Sequence, residues 1–175
     1  MKLKPSELPP EVLPISWLLG AWRGIGKGGY PGTEDFTFEQ EVVFSCDGRP
    51  FLSYAARSWI LSDEGERLKP GATETGYWRP QPNNEVEVLL THPTGFAEIY
   101  QGTVTVTSIE NAEILGARAE LTTDAVMRTA TAKEVNSGTR LYGLVNGELM
   151  WVYEMAAMGH PLQAHLSARL KPLEG

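Results

Sequence analysis

The 175-residue sequence predicts an all-β, antiparallel protein, and three observations carry that reading. Short segments rich in Val, Ile, Thr, Tyr, Phe and Trp recur along the chain, separated by tight-turn residues. Helical periodicity is scarce, so no βαβ alternation points to a parallel sheet. Six glycines fall within residues 20–32, "GAWRGIGKGGYPG", and glycines in a strand mark bends or close backbone approach. An antiparallel sandwich or barrel accommodates all three.

The elements follow in order. Glu11 to Leu19 is the one early helix candidate, and Pro14 confines it to about two turns. The glycine stretch is the opening strand. Its rival, a phosphate-cradling loop, needs Gly-Lys followed by Ser or Thr and a helix; here Gly28, Gly29, Tyr30 and Pro31 follow Lys27. "DFTFEQEVVFSC" (35–46) and "FLSYAARSWIL" (51–61) flank "DGRP", a hairpin signal. "TETGYWRP" (73–80) and "EVEVLLTH" (85–92) flank "QPNN". "GFAEIYQGTVTVTS" (95–108) and "AEILGARAELTT" (112–123) turn at Asn111. "TRLYGLV" (139–145) and "ELMWVYEMAAM" (148–158) flank Asn146-Gly147, the clearest hairpin, and "PLQAHLSARLKP" (161–172) closes the chain. No repeat, low-complexity tract or linker interrupts the series, so residues 1–175 read as one domain.

Composition narrows the partners. A net charge of -7 offers no basic footprint for nucleic acid and no attraction to anionic lipid. Cys46 stands alone, which excludes an internal disulfide and a thiolate metal cage. The opening "MKLKPSELPPEVLPIS" lacks the apolar core of a signal peptide, and no apolar run approaches the roughly 20 residues of a membrane helix. The expectation is a cytoplasmic protein, monomeric or homodimeric.

Gly20, Ala21, Trp22, Arg23, Gly24, Ile25 and Gly26 fit the pattern G-x-W-x-G-x-G. The pattern resembles the first strand of the nitrobindin family. "ETGYWRP", "LTHPTGFAEIYQG", "TAKEVNSGTRLYGL" and "MAAMGHPLQAHLSARL" resemble later strands of the same family, and the likeness runs from about Leu13 to Leu170. It implies a single up-and-down barrel of about ten strands, like lipocalins and fatty-acid-binding proteins, holding one haem b. It also implies binding of nitric oxide and isomerisation of peroxynitrite to nitrate at ferric haem. Trp22, in this resemblance, packs across the closed end.

The chain has three histidines, and residue pattern alone marks none as a ligand. His160 lies between Gly159 and Pro161, and His92 precedes Pro93; both read as turn or strand-end residues. His165 alone lies inside a strand pattern, and the resemblance assigns it as axial ligand of the iron and the catalytic residue. Strict alternation puts His165 with Gln163, Ser167 and Arg169 on a polar face, opposite Leu162, Ala164, Leu166, Ala168 and Leu170. The resemblance also brings Lys133 to a haem propionate, with Arg23 and Lys27 as weaker candidates. Family members often carry threonine after "YP"; here Gly32 holds that place and Thr33 follows. Trp59, Trp78, Trp151, Met155 and Met158 read as filling. No G-x-S-x-G elbow or hydrolytic triad is evident.

The alternative function is a carrier of a fatty acid or another small apolar ligand. A carboxylate carrier requires internal arginine, for which Arg57, Arg79, Arg118 and Arg128 are the candidates.

Overall fold

A computed structural model describes residues 4–173 and shows one closed ten-stranded antiparallel barrel. The strands are β1 (Gly20–Tyr30), β2 (Thr33–Ser45), β3 (Leu52–Leu61), β4 (Arg67–Gln81), β5 (Glu85–His92), β6 (Phe96–Glu110), β7 (Glu113–Arg128), β8 (Val135–Val145), β9 (Glu148–Ala157) and β10 (Gln163–Pro172). Each pairs with its sequence neighbours, and β1 closes the ring on β10 in a ladder from Trp22↔Pro172 to Gly28↔Leu166.

The turns follow from residues that tolerate positive φ. Asn146 (φ 51) and Gly147 (φ 77) join β8 to β9. Gly32 (φ 84) follows Pro31 in the four-residue turn Tyr30–Thr33, which matches a type II turn. The substitution of glycine for the family's threonine thus has a backbone reason.

The expected early helix is present within one residue of the bounds read from the sequence. It is a 3-10 helix, Pro10–Leu18, that runs through Pro14, preceded by a short 3-10 turn at Pro5–Glu7. Val12, Ile15 and Leu18 are fully buried at a spacing of three, the 3-10 repeat. The helix plugs one end of the barrel, where Trp22 Nε1 donates to the Leu18 carbonyl (2.9 Å). The expected role of Trp22 at the closed end is thereby seen. Above the plug, Phe44, Leu52, Trp78, Val86, Leu149 and Leu170 fill the lower interior. The other end, rimmed by the β1–β2, β3–β4, β5–β6, β7–β8 and β9–β10 loops, holds the features described next.

Candidate functional site

His165 owes its direction to a β-bulge. In the β9–β10 ladder Gln163 faces Met155, Ala164 faces Glu154, and Leu166 faces Tyr153, so His165 is the extra residue. The bulge resets the alternation: Leu166, Ala168 and Leu170 share the interior side with Tyr153, Trp151 and Leu149. The His165 ring lies edge-on to Tyr30 (5.4 Å between centroids) and Tyr153 (5.8 Å), both buried. Strict alternation, which groups His165 with Ser167 and Arg169 and leaves their facing open, is broken here: Ser167 and Arg169 are exposed, while the His165 ring turns toward Tyr30 and Tyr153.

A second irregularity meets the first. β1 shifts register between Gly28 and Tyr30, and the Gly29 carbonyl there accepts a hydrogen bond from His165 Nδ1 (3.0 Å). A carbonyl oxygen only accepts, so Nδ1 carries the proton and Nε2 keeps its lone pair. Nε2 makes no hydrogen bond among the described residues. Burial lowers the His165 pKa from its ordinary 6.5; the Gly29 bond opposes this and the charge of Arg140 adds to it. The imidazole is thus neutral at pH 7. Tyr30 braces the same corner, its hydroxyl donating to the Met155 carbonyl (2.9 Å) and accepting from Ala157 N–H (3.0 Å). A cleft of about 730 Å³ lies over this seam, with the outward residues Lys27, Val152 and Ser167 in its lining beside Tyr30 and His165.

The glycines of β1 make the adjoining wall bare. A Cβ on Gly26 would lie 2.2 Å from Phe38 Cζ, and one on Gly28 would lie 2.2 Å from Phe36 Cζ. The two aromatic rings occupy the room that side chains on β1 would take. The interior also carries a polar layer that the sequence reading missed. Arg140, on β8, donates from both Nη atoms to Glu74 of β4 (2.6 and 2.9 Å). Glu98 Oε1 lies 2.6 Å from His92 Nε2, and Glu98 Oε2 accepts from Tyr100 (2.5 Å) and Tyr153 (3.4 Å). Tyr54 donates to Glu74 Oε1 at 2.6 Å. Burial raises the pKa of Tyr54, Tyr100, Tyr142 and Tyr153, so these phenols stay protonated donors.

The remaining predicted residues divide by position. His92 is an interior residue stacked on Phe96 (3.9 Å, 7°), bonded within the polar layer rather than free at a strand end. His160 is exposed in the β9–β10 loop, edge-on to Tyr30 (5.7 Å). Lys133 is exposed in the β7–β8 loop, on the open rim, where Met158 N–H donates to the Glu134 carbonyl (2.9 Å) and joins the two loops. Thr33 is exposed at the same end, paired with Tyr30. Arg23 and Lys27 point outward, bonded to Glu41 and Thr37. Gly20 and Gly24 lie in β1, and Gly24 is packed against the Arg169 carbonyl across the seam. Met155 is interior and Met158 exposed.

A closed barrel with a neutral, backbone-pinned imidazole beside buried aromatic rings places the chain in a class: small-molecule-binding β-barrels. A single imidazole with a free Nε2 is the donor a porphyrin iron takes from a protein, and it fits that group. Residues 11–171 match the THAP4-like, heme-binding beta-barrel domain, and the chain belongs to that family. It is 51% identical to a peroxynitrite isomerase of Nocardioides sp., over 95% of each chain. It is 43% identical to a ferric nitrobindin-like protein of Kineococcus radiotolerans, again over 95% of each. The crystal structure of Rv2717c from M. tuberculosis superposes with a TM-score of 0.87 at 38% identity, covering 95% of this chain and 99% of that one.

Proposed function

We propose that this chain is a cytoplasmic haem b protein, one haem per barrel, ferric at rest. Its proposed action is to bind nitric oxide and isomerise peroxynitrite to nitrate. The observation that carries the reading is the pinned tautomer of His165, an imidazole set against the buried Tyr30 and Tyr153 whose Nε2 makes no hydrogen bond among the described residues and keeps its lone pair for an axial bond. The names of the Nocardioides and Salinispora tropica relatives, both peroxynitrite isomerases, support the reaction. When bound, the haem supplies the electron-transfer and rearrangement chemistry. The chain's residues hold and shield it. His165 would hold the iron through Nε2, and the Nδ1–H bond to the Gly29 carbonyl would orient the ring and strengthen it as a donor. Phe36, Phe38, Met155 and Leu166 offer apolar contact. Lys133 offers a cation to a propionate at the rim, and Thr33 a hydroxyl.

The carrier reading loses its anchor. Arg57 and Arg79 pair with Glu41 and Glu87 at exposed positions; Arg118 lies 3.4 Å from Glu120, and Arg128 is exposed. Hemin titration of the purified protein tests the proposal: a sharp Soret band saturating at one equivalent, with faster peroxynitrite decay by the loaded protein, is expected. Absence of stoichiometric hemin binding would return the barrel to the carrier class.

A further inference from the structure

The polar layer contains more chemistry than a haem pocket requires. Arg140 is 1% exposed at its side chain, and both of its Nη atoms converge on one carboxylate. Tyr54, reaching from β3, gives that carboxylate a third donor at 2.6 Å. Arg140 Nε donates to the Tyr100 hydroxyl (3.2 Å), and the Tyr153 ring lies 4.5 Å from its Cζ. Tyr142 accepts from Nη1 (3.3 Å), and Glu98 Oε1 lies 3.6 Å from Nη2, beyond the hydrogen bonds that Glu74 receives. Two parallel N–H donors with a flanking hydroxyl form the geometry that recognises a carboxylate. Here the carboxylate belongs to Glu74.

We infer that the barrel contains a built carboxylate site, formed by Arg140 and Tyr54 and filled by its own Glu74. This internal occupancy bars free carboxylic acids from the interior. The ligand class it would take without Glu74 is a short aliphatic carboxylate, because removal of the glutamate beyond Cβ leaves the volume of acetate to propionate. The site thereby sets specificity: an acid entering the barrel finds its only interior arginine, among the described residues, already neutralised. The strength of the cradle shows in Glu74 itself. Burial pushes its pKa up, yet the charge and hydrogen bonds of Arg140, the charge of His92 and the Tyr54 bond outweigh this and hold it at about 2.

The test uses haem-free protein, so its result is independent of the haem reading, which hemin titration decides. Glu74→Ala is unfolded in denaturant across a series of acetate and propionate concentrations. Chloride at equal ionic strength and neutral acetamide serve as probes of charge and shape. At an acid concentration a hundredfold above its Kd, the unfolding equilibrium constant of Glu74→Ala is expected to fall about 100-fold. Wild type and Glu74→Ala/Arg140→Met should show no such response. If the single variant does not fold in plain buffer, refolding yield across the same series replaces the unfolding curve and should rise with acid. The inference is overturned by equal responses to acetate and chloride, by a response that survives Arg140→Met, by a wild-type response matching the variant's, or by a refolding yield indifferent to acid.

Discussion

Replacing Arg140 with methionine keeps the bulk of the side chain and removes the one cation of the polar layer. Glu74 then sits in the barrel with burial no longer outweighed, and Glu98 loses a positive charge 3.6 Å away. In wild type the folded-state pKa of Glu74, about 2, lies below its ordinary 4.5. A group depressed in this way stabilises the fold fully above its unfolded value and loses that contribution as pH falls through the folded one. The gap corresponds to about 3 kcal/mol at 1.36 kcal/mol per pH unit. Breaking a buried pair by removing one partner costs about 3–5 kcal/mol, in line with this figure. For a chain of this size that lowers Tm by roughly 6–20 °C at neutral pH. In the variant the Glu74 pKa moves above 4.5, so protonation relieves the strain. The difference from wild type should therefore shrink as pH falls from neutral toward about 3. Urea unfolding of haem-free protein across that range measures it, and Arg140→Met/Glu74→Gln should recover most of the loss. A single-variant cost below about 1 kcal/mol, or a cost independent of pH, would refute the reasoning.

Three further substitutions probe the walls of the chamber. Gly24→Ala places a Cβ 2.0 Å from the Arg169 carbonyl, backbone that cannot swing aside, and should cost about 1–3 kcal/mol in urea unfolding. Tyr30→Phe leaves the Ala157 N–H without its hydroxyl partner and should cost about 1–3 kcal/mol by the same measurement, with weaker hemin binding as the corner loosens. Lys133→Ala should weaken hemin binding only modestly, since an exposed ion pair contributes about 0–1 kcal/mol; direct titration reads the change.

Strand content and turns were legible because they are encoded locally. Asn146-Gly147 adopts the positive φ values that its residues favour, and the long strands alternate as expected. Two features were not legible. The bulge at His165 has no signature in "QAHLS"; it arises where β10 meets the registers of β9 and β1 together. Alternation within one strand therefore groups His165 with Ser167 and Arg169 and cannot fix the direction of its ring. The polar layer escaped because β6 and β8 invert the usual pattern. Glu98, Tyr100, Arg140 and Tyr142 face inward, while Ile99 and Leu141 are 41% and 44% exposed. The pairs Glu98-x-Tyr100 and Arg140-x-Tyr142 carried the available signal: a charge and a phenol two residues apart share one face, and a phenol is the natural partner for a buried charge. The short early helix was legible in position, and its three-residue burial period makes it a 3-10 helix that continues through Pro14.

The proposed function rests on His165 Nε2 as the axial ligand, and the visible spectrum of hemin-loaded ferric variants decides that assignment. His165→Ala removes the lone pair that the Gly29 bond presents, and no other described imidazole is held in that way. Its spectrum should lose the five-coordinate histidine form and resemble hemin held by apolar contact alone. His160→Ala, in an exposed loop, and His92→Ala, engaged with Glu98, should keep the wild-type Soret band. An unchanged band in His165→Ala, with loss of the band in either of the other two, would contradict the assignment.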